Sequence, residues 1–388
     1  MTNWPIKTLG DVCEVIAGQS PEGKYYSKDG QGTPFYQGKK EFGERLIGPA
    51  ETWTSVVTKM AKEGDILMSV RAPVGPVNIC VGEVCIGRGL ASIRPRKELD
   101  RDFLFYLLRA LEPEISGTQG AIFASINKSQ IAAIEIPVPP LTEQKRIVSL
   151  LDKVTARVTE LTACYEQART HSNNLFTSAL RDALGSDADW PVKTLDDLCR
   201  IEMGRTPSRG DNRGWDKDRK TSNHWASIAD ISACDGRILS STKERISDVA
   251  ARTTKVVPAG TLMMSFKLSI GKLAFAGCDL YTNEAIVAFH LPANSSVNSE
   301  FLYWSLMVVD WAALTQGSEK VKGATMNKAK LSVLEIPVPP LEEQKHIVMR
   351  LDEMRAKTSE MMAIYDAKLQ TTKNLRQSIL EAAFGGRL

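Results

Sequence analysis

The chain repeats itself. Trp4-Pro-Ile-Lys-Thr-Leu-Gly-Asp-Val-Cys13 recurs as Trp190-Pro-Val-Lys-Thr-Leu-Asp-Asp-Leu-Cys199, at an offset of 186 that also relates Gly18 to Gly204 and Pro21 to Pro207. The offset is 196 where Gly64-Asp-Ile-Leu-Met-Ser-Val-Arg71 matches Gly260-Thr-Leu-Met-Met-Ser-Phe-Lys267, and Gly75 falls on Gly271. It is 198 for Phe103-Leu-Phe-Tyr against Phe301-Leu-Tyr-Trp. From Asn127-Lys128 onward it settles at 200, through Ile136-Pro-Val-Pro-Pro-Leu-Thr-Glu-Gln-Lys145 and Ile336-Pro-Val-Pro-Pro-Leu-Glu-Glu-Gln-Lys345 as far as Gly185 and Gly385. A repeat of this length requires the same fold twice. The interval 18–64 and its counterpart 204–260 differ in length by ten residues and share little sequence, so one region varies within a repeated frame.

Each half divides again at its double proline. Ahead of it, short apolar or β-branched runs at 66–70, 77–81, 261–266 and 285–291 are punctuated by Gly and Pro and predict strands, with short helices near 102–111 and 300–313. Behind it, about forty residues without proline or glycine predict one long helix in each half. The first helix carries Ile147, Leu151, Val154, Val158, Leu161, Tyr165, Ala168, Ser172, Leu175 and Ala179 at the 4-3 spacing of a coiled-coil seam. The second repeats it with Ile347, Leu351, Met354, Thr358, Met361, Tyr365, Lys368, Thr372, Leu375 and Ile379. The two helices are expected to pack on each other, and pseudo-twofold symmetry favours an antiparallel pair.

Motifs of chemistry are mostly absent. Gly82-Glu-Val-Cys-Ile-Gly-Arg88 imitates a phosphate loop but ends in Arg instead of Lys followed by Ser or Thr, and there is no Gly-x-Gly-x-x-Gly run between a strand and a helix. The four histidines are far apart and without ligand-type spacing, so no metal site is expected. The Val-Pro-Pro-Leu segments lack the polar residue that an amino-methyltransferase places before its prolines, and a lone Glu22-x-Lys24 is no nuclease signature. Catalytic residues are expected to be none. The seven scattered cysteines predict reduced, buried thiols in a cytoplasmic protein. No signal peptide is expected, because the opening Met-Thr-Asn-Trp-Pro-Ile-Lys lacks a basic segment followed by an apolar stretch, and no membrane span, because the densest apolar run, 301–314, is interrupted by Asp310.

With 49 basic and 46 acidic residues, overall charge says nothing about nucleic acid, and any anion-binding surface must be local. Two segments qualify, both in the dissimilar region. Residues 205–220 carry Arg205, Arg209, Arg213, Lys217, Arg219 and Lys220 around Trp215 in a Gly/Pro/Asn setting, and His224 follows. In the first half, Gln19, Lys24, Tyr25 and Lys28, with Gln37, Lys39 and Lys40, combine lysines for phosphates with glutamines able to pair with adenine. Arg71 and Lys267 share a frame position after a predicted strand and are candidate phosphate contacts. The repeated Pro-Pro-Leu-x-Glu-Gln block opens a helix with acids in its first turn. Its Leu141, Gln144, Leu341 and Gln344 are candidate partner contacts.

These residues resemble the specificity subunits of type I restriction-modification systems over nearly the whole chain. The resemblance is carried by both Trp-Pro-x-Lys-Thr-Leu openings, the Gly-Asp-Ile-Leu strand, Thr118-Gln-Gly120 and Thr315-Gln-Gly317, and both Ile-Pro-Val-Pro-Pro-Leu-x-Glu-Gln blocks. One departure is Thr261, which stands where the first half has Asp65. The resemblance implies a mixed α/β chain with two similar α+β target-recognition domains, 1–140 and 185–340, separated by two long antiparallel coiled-coil helices, 141–184 and 341–388. Each domain would read one half of a split double-stranded DNA sequence across a spacer set by the helices. Two methyltransferase subunits would dock on the chain, and restriction subunits would complete the assembly. S-adenosylmethionine, ATP and Mg2+ belong to those partners, with no cofactor in this chain. Two other readings stay open: a coiled-coil scaffold that binds proteins without DNA specificity, and a DNA-modifying enzyme acting alone.

Overall fold

Each half opens with a strand that pairs antiparallel with the strand just ahead of its double proline. Ile6–Thr8 lies along Glu135–Pro137, and Val192–Thr194 along Glu335–Pro337, in the same register. Val138 N donates to Pro5 O and Val338 N to Pro191 O, both at 2.8 Å. The repeated Trp-Pro opening and the repeated Pro-Val-Pro-Pro block are thus the two sides of one clasp. The residues that follow are also explained locally. Asp11 accepts from both the backbone and the hydroxyl of Thr8, and Asp197 does the same for Thr194, so Thr-Leu-x-Asp is a capping box for a one-turn helix.

The computed structural model describes residues 4–117, 125–185, 189–234, 237–267, 269–315, 319–320, 323–324 and 326–385. Residues 118–120 and 316–317, which carry most of the Thr-Gln-Gly motifs, lie outside the described residues. Two units emerge, one of Met1–Ala168 with Tyr365–Leu388 and the other Arg169–Ile364. The cuts fall within the long helices instead of at the prolines, because each globular core includes the end of one helix and the start of the other.

In the first unit an antiparallel sheet runs in the order Cys13–Ala17, Leu90–Pro95, Ile66–Ser69 and Val77–Ile79. Helix Arg101–Ala110 packs Phe103, Leu104, Leu107 and Leu108 against it, each burial stabilising by roughly 2 kcal/mol. A second sheet orders Tyr26–Ser27, Trp53–Thr54, Thr33–Tyr36, Val84–Ile86 and Met60–Ala61, four of its five strands coming from the dissimilar region. In the second unit the order is Arg200–Met203, Ile286–His290, Leu262–Ser265, Leu273–Ala276 and Ile238–Leu239. A separate sheet joins Glu244–Arg245, His224–Ala226 and Leu280–Thr282. The expected strands all form. The helix expected near 300–313 is instead two, Ser299–Met307 and Trp311–Thr315, because Asp310 accepts the Ala313 amide and starts a new turn.

The frame glycines are repeated for steric reasons. A Cβ on Gly18 would lie 2.2 Å from Gly87 O, and one on Gly204 2.2 Å from Thr282 O. Gly75 and Gly271 have φ of +108° and +83° at the ends of equivalent turns. Asp65 is buried, with Arg94 Nε at 2.8 Å and Ser92 Oγ at 2.7 Å, an inner-sheet ion pair and not part of a site. In the second unit His290 stands where the first has Arg94, so the arginine that Asp65 binds has no counterpart beside Thr261.

Both long helices, Leu141–Leu184 and Leu341–Phe384, form. Ile147 and Leu151 share a core with Leu380 and Ala383, while Leu180 and Leu184 share one with Leu351, so the helices run antiparallel. The seam departs from strict heptads at four expected positions. Leu175 is 70% exposed, and Leu375, Met361 and Lys368 also face solvent. After Ser172 and Thr372 the step is four residues: Phe176 packs edge-on against Trp304 at 5.8 Å, and Arg376 pairs with Glu44 at 2.6 Å. These neighbours, one in a core and one a surface ion pair, lie off the heptad line, and a four-residue step rotates the seam toward them.

Candidate nucleic-acid interface

Arg71 and Lys267 sit at the head of matching hairpin turns. Gly75 N closes onto Ser69 O at 3.0 Å, and Gly271 N onto Ser265 O at 2.9 Å. Arg71 is exposed, and Lys267 lies 5.2 Å from the ring centroid of Phe266. Of the expected DNA-contacting residues, this pair is the one that the repeat places equivalently.

In the first unit, Gln19, Lys24, Lys28, Gln37, Lys39 and Lys40 are exposed and Tyr25 is half-buried. Gln37 and Ser20 are bonded at 2.8 Å on the wall of an open depression that also includes Tyr26, Phe35, Thr52 and Arg88. Arg88, which ends the Gly82–Arg88 run and is not among the expected site residues, lines the same depression as Gln37. Lys24 pairs with Glu22 at 2.6 Å and lies 5.0 Å from the Tyr25 ring, and Lys40 pairs with Glu51. Their charge is partly spent within the loop.

In the second unit several basic residues build the loop itself. Arg209 lies 4.0 Å over Trp215 and binds Glu244 at 2.6 Å, while Trp215 packs edge-on against buried Trp225 at 4.9 Å and donates to Ser208 O. The Trp215 face that could stack on a base is therefore occupied by Arg209. Arg219 adopts φ +57° and donates to the carbonyls of Lys243 and Thr242, fastening a turn. Arg213 pairs with Asp211 and Lys220 with Asp218. Lys217 donates to Asn212 Oδ1 at 2.8 Å, and Arg205 is exposed. Burial, aided by Arg245 and Arg219, lowers the His224 pKa, so its imidazole is neutral at pH 7 and offers hydrogen bonds without charge.

The expected partner contacts divide. Leu141 and Leu341 are 40% and 46% exposed. Gln144 and Gln344 are fully buried, which corrects their reading as partner contacts. Gln144 Nε2 donates to Pro139 O at 2.8 Å and Glu98 O at 3.0 Å, while its Oε1 accepts from Asp100 N at 2.7 Å. Gln344 does the same with Pro339 O, Ser296 O and Asn298 N. Every polar atom of these amides is committed inside the chain.

Among the described residues, no group of three or more His, Cys, Asp or Glu stands close enough to hold a metal ion. No described helix is long and apolar enough to cross a membrane.

The family described as type I restriction modification DNA specificity domain matches residues 1–168 and again 187–370. The chain belongs to this family. Its two matches fall on the two halves of the repeat. A putative type I restriction enzyme MjaX specificity subunit of Methanocaldococcus jannaschii is 44% identical over 156 residues, covering 39% of this chain and 36% of that protein. The EcoDI specificity subunit of Escherichia coli is 22% identical, with all of this chain and 89% of that protein aligned. A chain solved in a study of complex assembly and conformational transition of the type I R-M system superposes with a TM-score of 0.82 at 21% identity. It is covered to 99%, and this chain to 100%, a likeness that concerns the fold. The specificity-domain fold thus occurs twice, on frames alike down to their caps, glutamine clasps and hairpins.

Proposed function

We propose that this chain is the DNA-reading subunit of a type I restriction-modification assembly and recognises a split double-stranded sequence, one half through each unit. The observation that carries this is the contrast within the repeat. Clasp, capping boxes and hairpins are duplicated, while residues 19–40 and 205–224 fold into unlike surfaces. A frame kept twice around two different loops suits a protein that reads two different half-sites in one geometry.

Arg71 and Lys267 supply equivalent phosphate contacts in this reading. Gln19, Gln37 and Arg88 in one unit, and Arg205 and Lys217 in the other, face base edges or backbone. Each long helix, at 44 residues and roughly 1.5 Å per residue, is about 66 Å long, a stiff element suited to fixing the gap between half-sites. Methyltransferase subunits, two in the full assembly, dock on the repeated apolar positions. Ile6 and Leu141, and their counterparts Val192 and Leu341, are large and exposed in both copies. S-adenosylmethionine, ATP and Mg2+ are used by the methyltransferase and restriction subunits, not by this chain.

The test is a domain exchange. Residues 1–140 are replaced by those of a differently specific relative, and the modified sites are mapped with the same methyltransferase. One half-site changes and the other persists; a change in both halves refutes the modular reading.

A further inference from the structure

The dissimilar segments share one residue that sequence comparison passes over. Arg45, in the first, lies beside strand Val77–Ile79, where its carbonyl accepts from Ile79 N at 2.8 Å. Arg237, in the second, lies beside strand Leu273–Ala276, where its carbonyl accepts from Phe275 N at 2.6 Å. Ile79 and Phe275 are equivalent in the repeat, so the two arginines hold one topological position.

Their side chains do the same work. Arg45 reaches Asp102 at 2.8 Å on helix Arg101–Ala110 and Asp152 at 2.7 Å on the first long helix, and Tyr106 OH donates to Asp152 at 2.7 Å. Arg237 reaches Glu300 at 2.8 Å on helix Ser299–Met307 and Asp352 at 2.6 Å on the second long helix, and Trp304 Nε1 donates to Asp352 at 3.0 Å. Each guanidinium also lies over aromatic rings, Arg45 at 5.4 Å from Tyr106 and Arg237 at 5.2 Å from Trp304. The two acids of each socket are frame residues, related by the offsets 198 and 200 of their surroundings.

We propose, resting on the DNA-reading function above, that Arg45 and Arg237 are positioning residues for base recognition: each plugs its dissimilar segment into a two-carboxylate socket on the repeated frame. Each arginine thereby fixes that segment against the helix that sets the half-site spacing. The fork geometry is needed because one side chain must bridge two carboxylates on different helices, which the single ammonium of lysine does poorly. A common socket also explains how unlike segments fit one frame: each needs only an arginine at this point of its path.

The experiment uses the full chain co-expressed with its methyltransferase, and modified-base sequencing of the host DNA. Wild type, Arg45→Met, Arg45→Lys, Asp152→Asn and Arg237→Met are compared. The expected result is that Arg45→Met and Asp152→Asn reduce discrimination against single mismatches about tenfold in one half-site only. Arg237→Met does so in the other half-site, and Arg45→Lys is milder than Arg45→Met. The retained half-site reports that each variant is folded and assembled. Equal stringency in both half-sites for Arg45→Met and Asp152→Asn overturns the proposal, as does a loss shared by both half-sites. Absence of any split motif with wild type defeats the DNA-reading function itself, a distinct outcome.

Discussion

Gln144 Oε1 accepts the backbone amide of Asp100 at 2.7 Å, and Asp100 in turn caps helix Arg101–Ala110 by accepting from the amides of Asp102 and Phe103 at 3.0 Å. One side chain at the start of a long helix therefore fixes the first turn of the helix that packs on the sheet. The same relation joins Gln344 to Asn298.

Replacing Gln144 with Ala strands the Asp100 amide and the Pro139 carbonyl in a buried place. The expected cost is about 1–3 kcal/mol, typical of buried polar groups left without partners. Thermal or urea unfolding of Gln144→Ala and Gln344→Ala reads this directly; unchanged midpoints in both contradict the clasp.

Acid sensitivity follows from Asp102. Burial disfavours its charge, but hydrogen bonds from Arg101 and Arg45 outweigh that and hold its carboxyl below the ordinary aspartate value of 3.8. A carboxyl more acidic in the folded chain stabilises the fold above that value, and the contribution disappears as the pH falls through the folded value. Melting midpoints of Asp102→Asn should lie below wild type at pH 6 and converge with it as the pH falls below 3.8. A constant gap across that range would show that charge is not the cause.

The thiols separate by burial, in part against the expectation that all are buried. Cys164 is exposed, whereas burial pushes Cys13, Cys80 and Cys199 up to about 12. Since the thiolate is the reactive form, iodoacetamide at pH 8 should label Cys164 within minutes and spare the other three until the chain is unfolded. Peptide mapping by mass spectrometry checks the order.

Phosphate contact is tested by salt. If Arg71 neutralises one phosphate, Arg71→Ala weakens binding of the assembled complex to any duplex and lowers the slope of log affinity against log salt by about 1. Selectivity between cognate and mismatched sites stays the same. A change in selectivity with an unaltered slope would make Arg71 a base-reading residue instead.

Much of this fold is legible in the sequence because its signals are local. The repeat, the Gly and Pro punctuation and the glycine-free stretches mark strands, turns and both long helices. The seam misleads at Leu175 and Leu375 because a heptad pattern carries no knowledge of the core that Phe176 reaches or of the Glu44 that Arg376 pairs with. Gln144 reads as surface because polarity alone does not show that three backbone groups 5, 44 and 46 residues away converge on its amide. Arg209 and Trp215 read as DNA contacts from composition, yet they satisfy each other. Arg45 and Arg237 escape notice because their equivalence lies in strand pairing, with six of the ten extra residues of the second copy inserted ahead of Arg237.

The central claim is that this chain reads a split sequence for a methyltransferase. Modified-base sequencing of DNA from cells expressing both proteins, against cells lacking only this chain, tests it at every genomic site at once. The account predicts one two-part motif with a fixed gap, methylated only when the chain is present. With both proteins confirmed by immunoblot, a methylation pattern identical in the two strains would contradict it.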